Sequence, residues 1–224
     1  MTSLVAHLSN EFESSCSSSH HHNAAVSRAS FRAREMLLAQ PSDVDVKDRL
    51  LIMILFTKRK GRMELLKCSL LKLKANMMTN TTVDVFIWTL NKTNYSATAV
   101  PSWFTTTEFP RMQWMPIEQE VWTVPCGLIP SSQWALRQHF DVDYYLMGRW
   151  WVGAVTIICM CDEPDNFSVL LLHRRLTFSL DFAKAMGYSY HLQFDDDAML
   201  NSALAYNVVD KLKERNYLMV RYAS

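Results

Sequence analysis

Three consecutive carboxylates, Asp195, Asp196 and Asp197, follow directly on the aromatic run "GYSYHLQF" at 187–194. Like charges on neighbouring residues repel, so the triple needs a positive partner: solvent-borne ions, a helix N-terminus or a metal. An Asp-x-Asp pair presents hard oxygen donors. Such donors suit Mn or Mg and leave coordination positions open for phosphate oxygens. A metal held this way acts as a Lewis acid on a diphosphate leaving group. The same triple serves equally as a solvated loop or a helix cap, so the decision rests on the elements around it.

Those elements alternate strand and helix. "RLLIMILFTK" (49–58) is a continuous apolar run of strand length, the pattern of a strand buried on both faces of a parallel sheet. In 61–78, Met63, Leu66, Leu70, Leu73 and Met77 recur at spacings of three and four, which predicts an amphipathic helix. "VDVFIWTL" (83–90) is a second buried strand, so 49–90 reads as a βαβ unit. "RMQWMPI" (111–117) is a candidate third strand, and "PSSQWALRQHF" (130–140) a helix with a Ser N-cap. In 187–194, Tyr188, Tyr190, Leu192 and Phe194 alternate with smaller or polar residues, which predicts a strand. The triple Asp therefore stands at the carboxyl end of a strand in an α/β domain, where ligands of open parallel sheets bind. "NVVDKLKERNY" (207–217) is a further helix, and "YLMVRY" (217–222) begins another strand.

Composition narrows the function classes. The formal net charge is +1, which gives no electrostatic footing for nucleic acid. Only 5 glycines occur, and no Gly-rich phosphate-loop pattern is among them. Cys16, Cys68, Cys126, Cys159 and Cys161 are scattered and odd in number, the pattern of free thiols rather than a zinc site. Residues 1–46 read as a largely disordered leader with a short helix in "ASFRAREMLLAQ", and "SHHHN" (19–23) belongs to it. The apolar runs "LLIMILF" (50–56) and "WWVGAVTIICMC" (150–161) are too short to span a bilayer. Sequons stand at Asn80, Asn91, Asn94 and Asn166, which points weakly towards a secretory lumen.

"GLIPSSQW" (127–134), "YYLMGRW" (144–150), "GYSYHLQFDDD" (187–197) and "VVDKLKERNYLMVRY" (208–222) occur in one order. Together, and loosely with "LFTKRKGRMELLKCS" (55–69), they resemble the fungal-type α-1,2-mannosyltransferases of glycosyltransferase family fifteen. The resemblance covers about 50–222 and implies an α/β fold of the GT-A, Rossmann-like nucleotide-diphospho-sugar transferase type, with a mostly parallel central sheet. It implies transfer of mannose from GDP-mannose to a glycan or glycoprotein acceptor, with Mn or Mg as cofactor. By resemblance Asp195 and Asp197 hold the metal, and Arg59, Tyr144 and Arg149 contact the nucleotide. Arg149 is suited to bidentate pairing with phosphate, and Trp134 is read as a packing residue. Asp196 stands where those enzymes carry Pro, which leaves a different nucleotide-sugar donor open. The family's acceptor half and catalytic Glu are expected beyond 217–222, so the chain reads as a truncated, donor-side domain over 47–224. A catalytically inactive fragment or interaction protein is the alternative of a different class. The resemblance also implies a type II membrane protein of the Golgi lumen. The chain as written is expected in the cytosol, with its sequons unmodified.

One stretch breaks the family-like order. Residues 151–174 separate "YYLMGRW" from the strand leading to Asp195, and joining Trp150 to Arg175 restores the spacing. Val152 is compatible with a splice donor, so the stretch reads as a retained intron, with a surface insertion as the alternative. Its apolar runs are expected to form strand-like segments outside the central sheet. Deleting 151–174 is expected to leave the sheet of 49–57, 83–90 and 187–194 folded and to raise solubility. Loss of the cooperative unfolding transition in the deletion would show that the segment is structural.

Overall fold

The computed structural model describes residues 18–40, 42–56, 61–90, 100–117, 155–160, 167–172 and 178–215. The candidate residues Arg59, Tyr144 and Arg149, the helix expected over 130–140, the strand expected over 217–222, and the sequons at Asn91, Asn94 and Asn166 lie outside them. The chain divides into two units, Met1–Ala29 with Glu118–Phe182 and Ser30–Ile117 with Ala183–Ser224.

The second unit carries the central sheet. Strands β1 (Leu50–Phe56), β2 (Val83–Leu90) and β3 (Met112–Ile117) form where apolar runs were expected. The sheet is completed by β6 (Tyr190–Asp195), in the order β3-β2-β1-β6. All three pairings are parallel, and every residue of β1 is buried. A strand covered on both faces has no need for polar alternation, which is why β1 reads as an unbroken apolar run. On one face Leu50, Ile52, Ile54 and Phe56 join Val83, Val85, Ile87 and Met112 in a core with Leu66, Leu70 and Leu73. Those three leucines lie on helix α2 (Arg62–Asn76), at the spacing the sequence predicts. On the other face Leu51, Met53, Leu55, Phe86, Trp88 and Met115 are equally buried. The fold is thus α/β with an all-parallel four-stranded central sheet.

Helix α1 is longer than expected. It spans Ser18–Leu38, where a largely disordered leader with a short helix was read. Its buried residues Ala25, Val26, Ala29, Ser30 and Ala33 are nearly all small. A stripe of alanines and a serine packs closely yet scores as barely apolar, which is why the pattern was missed. Helix α3 (Phe178–Met186) was also unforeseen. It ends at Gly187, whose φ of +87° suits only glycine without strain. There Tyr188 N–H bonds the Ala183 carbonyl at 3.0 Å and Gly187 N–H the Lys184 carbonyl at 3.1 Å, a Schellman ending. Helix α4 (Val208–Arg215) is capped by Asn207, whose Oδ1 accepts from Val209 N–H at 2.9 Å.

In the first unit, β4 (Val155–Met160) and β5 (Phe167–Leu172) pair antiparallel in a separate two-stranded sheet. Among the described residues, the apolar runs of 151–174 therefore add no strand to the central sheet. Among the described residues no helix is long and apolar enough to cross a membrane.

The central sheet is tied at its amino edge by one carboxylate. Asp84, the second residue of β2, is fully buried. Its Oδ2 accepts from Tyr188 Oη at 2.6 Å and lies 3.5 Å from Arg49 Nη1. Its Oδ1 accepts from Arg111 Nη2. Arg49 and Arg111 immediately precede β1 and β3, and Tyr188 stands two residues before β6, so one side chain fastens the entries of all four strands. Burial and the Asp84 carboxylate together push the Tyr188 phenol far above its ordinary range, so the hydroxyl always donates. Replacing Asp84 by Ala leaves the buried Arg49 and the largely buried Arg111 guanidinium groups without this anion. That is expected to cost about 3–5 kcal/mol of unfolding free energy, read from denaturant midpoints at unchanged slope. A loss under about 1 kcal/mol would show that the carboxylate is not structural.

Candidate functional site

The strand order β3-β2-β1-β6 reverses direction between β1 and β6. The first three strands step outward one way from β1, and β6 lies on its other side. At such a switch point the connections leave in opposite directions and open a crevice beyond the carboxyl ends of the strands. The register pairs Leu55 of β1 with Asp195, the last residue of β6. The triple Asp therefore turns out of the sheet at the mouth of this crevice, as the sequence pattern anticipates.

The opposite wall is the first turn of α2. Gly61 precedes it with φ +82° and supplies no side-chain cap. Arg62, the first helical residue, reaches across to the acidic turn. Its Nη2 lies 2.9 Å from Asp196 Oδ1, and its Nη1 pairs with Asp197 Oδ2. One guanidinium thus bridges two adjacent carboxylates contributed by a segment far away in sequence. The two pairs differ in setting. Asp196 is 5% exposed whereas Asp197 is 43% exposed and Arg62 32%. Asp195 is exposed and has no ion-pair partner among the described residues.

Below the turn, the chain is stitched along one side of α2. Ser69 Oγ donates to the Ala198 carbonyl at 2.6 Å, and Lys72 Nζ to Asn201 Oδ1 at 2.7 Å. Asn76 Nδ2 donates to the Leu200 carbonyl, and its own carbonyl accepts from Leu204 N–H at 2.8 Å. Asn80 Nδ2 donates to the Leu204 carbonyl at 2.6 Å, and Thr81 Oγ1 accepts from Val208 N–H at 3.0 Å. The Asn80 sequon thus has its amide engaged in the fold. These bonds hold residues 198–208 against the helix and fix the turn above them.

Burial sets Asp196 apart within the turn. Burial pushes the Asp196 carboxyl up to about 6, outweighing the nearby Arg62 charge that lowers it, with Asp197 and Asp195 adding to the rise. His191, two turns of pleat before Asp195 on the same face of β6, is pushed below its ordinary range by burial. It is therefore neutral at pH 7 and brings no positive charge to the turn.

The sequence reading placed Asp195 and Asp197 correctly at a strand end but treated Asp196 as a spacer. The structure makes Asp196 the buried anchor of the turn and adds Arg62, which the reading had left within an ordinary amphipathic helix. Its signal in the sequence is a place at the end of the basic run 58–62, directly after Gly61. The donors at Asp195 and Asp197 fit Mn or Mg in kind, being hard and exposed oxygens. Asp197 is, however, engaged by Arg62, and no group of three or more metal-ligating side chains occurs among the described residues.

The fold and site define an α/β protein with an anchored acidic turn at the switch point of a parallel sheet. No protein-family model matches the chain, and no curated protein matches it. Among solved structures it is similar to the mannosyltransferase Ktr4p from S. cerevisiae, at 14% identity and a TM-score of 0.45. That similarity covers 87% of this chain and 47% of the other, so the chain spans about half the length of the protein it matches.

Because Asp196 binds its proton more tightly in the fold than its ordinary value of 3.8, the folded state holds more protons between that value and about 6. Stability should therefore fall as pH rises through this window, and the ionised group is a net cost above it. Asp196→Asn is expected to be at least as stable as the parent at ~pH 8 and to flatten the slope between ~pH 4 and ~pH 6. Thermal unfolding across that range checks it; a clear loss of stability in the variant at ~pH 8 would mean that the Arg62 pair outweighs burial.

Proposed function

We propose that the chain is the donor-side domain of a glycosyltransferase of GT-A type, binding a nucleotide sugar at the carboxyl ends of β1 and β6. The reaction class is transfer of a hexose to a glycan or glycoprotein acceptor, with GDP-mannose as the donor. The observation that carries this reading is the acidic turn, fixed by hydrogen bonds along α2 at the switch point of an all-parallel sheet. The order of the quoted motifs, from "GLIPSSQW" to "VVDKLKERNYLMVRY", supports the choice of mannose.

Asp195 and Asp197 are the residues that would hold Mn or Mg. Such an ion, when bound, neutralises charge on the diphosphate leaving group. This chain's own residues supply the rest. Asp196, buried against Arg62, anchors the turn. Arg62 places a fixed positive charge at the first turn of α2, where the helix dipole already favours phosphate oxygens. Arg59, Tyr144 and Arg149 are proposed as nucleotide contacts on the motif resemblance. A Golgi-lumenal setting belongs to the same proposal.

Asp196 in place of Pro kept a second donor open. The buried pairing of Asp196 with Arg62 supports reading that difference as structural. Calorimetric titration of the 224-residue chain with GDP-mannose, with and without Mn, tests the reading. Binding with a Mn-dependent component is expected, and Asp195→Asn with Asp197→Asn is expected to abolish that component while circular dichroism stays unchanged. Unchanged affinity in the double variant would sink the role of the two acids, and preference for a UDP-hexose would transfer the site to another donor.

A further inference from the structure

The bridging guanidinium at the mouth of the crevice has a consequence of its own. Arg62 joins two carboxylates that differ in what they lose if it leaves. Asp196 is almost wholly out of water, and a buried carboxylate stripped of its cation is strongly destabilised. Asp197 is nearly half exposed, so water and ions replace a departing partner at little cost. The hold on Asp196 is therefore structural, and the hold on Asp197 is exchangeable. Asp195, next but one in the chain, is exposed and has no competing cation among the described residues.

We propose that Arg62 is the internal counter-cation of this acidic turn, and that a divalent cation reaches Asp197 only by displacing the Arg62 Nη1 arm, while the Nη2 arm stays on Asp196. The inference rests on the nucleotide-sugar reading for its purpose but not for its test. In that setting the exchange does two things at once. Asp197 passes from guanidinium to metal, and the freed N–H group is left at the first turn of α2, able to donate to a diphosphate oxygen. Without a nucleotide the guanidinium offsets part of the turn's negative charge and opposes cation entry at Asp197, both by occupying it and by like-charge repulsion. Empty and loaded states then differ by one ion-pair exchange, with no movement of the sheet.

The test uses Mn alone and the full chain, with free Mn followed by electron paramagnetic resonance. Arg62→Gln is expected to bind Mn roughly tenfold more tightly than the parent, the combined effect of an exposed ion pair released and one repelling charge removed. Adding Asp197→Asn to Arg62→Gln is expected to cancel the gain. Equal Mn affinity in parent and Arg62→Gln overturns the proposal, as does failure of both to bind Mn. If Arg62→Gln fails to fold because Asp196 is left unpaired, Arg62→Gln with Asp196→Asn removes the buried charge and is read the same way. Failure of the nucleotide-sugar reading is distinguishable: GDP-mannose would then bind to none of these proteins, whatever Mn does.

Discussion

The central sheet depends on a single buried carboxylate. Asp84, a residue of β2, meets with its side chain the segments entering β1, β3 and β6. Parallel strands have no hairpins to fix their register. Here the register is pinned from the amino edge, by Arg49, Arg111 and Tyr188 converging on one point. The same arginines bind the segment after α1. Arg49 Nε donates to the Val44 carbonyl at 2.6 Å and Arg111 Nη1 to the Gln40 carbonyl at 3.2 Å. Arg111 adopts φ +62°, a left-handed conformation that costs a non-glycine residue about 1–2 kcal/mol. It is held there by the Asp84 pair on one side and by Gln40 Oε1 on its backbone N–H at 2.6 Å on the other.

Structure at one edge of the sheet thereby sets the chemistry at the other. Once Leu50 pairs with Tyr190, the two strands must finish with Leu55 opposite Asp195. A one-residue slip would turn Asp195 to the face now occupied by Phe194 and carry Asp196 out of reach of Arg62. The polar row on α2, from Arg62 through Ser69, Lys72 and Asn76, then holds the exiting chain in a single path. Ser69 is fully buried in that row, which shows that the contact is part of the fold and not a surface accident.

Strongly apolar elements were legible in the sequence because their burial is uniform. The runs of β1 and β2 and the leucines of α2 can bury only one way, and the aromatic alternation of 187–194 marked β6. Elements built on small or mixed residues were not legible. The alanine stripe of α1 carries little hydrophobic signal, and "FSLDFAKAM" of α3 is short and follows the segment that broke the family-like order. For the site, a run of acids after a strand was visible, but the ranking among the three was not. Which of Asp195, Asp196 and Asp197 is buried depends on the direction of the turn and on Arg62, and both are tertiary facts. The Asp84 hub was equally hidden, since an Asp inside "VDVFIWTL" gives no hint of two arginines and a tyrosine from distant segments.

The proposed nucleotide-sugar site lies where the carboxyl ends of β1 and β6 meet the first turn of α2. Amide hydrogen exchange on the full chain, with and without GDP-mannose and Mn, addresses it most directly. Slowed exchange is expected only in the first turn of α2 and in residues 195–204, with the Asp84 end of the sheet unchanged. Exchange unaltered in those two segments, or slowed only elsewhere in the chain, would contradict it.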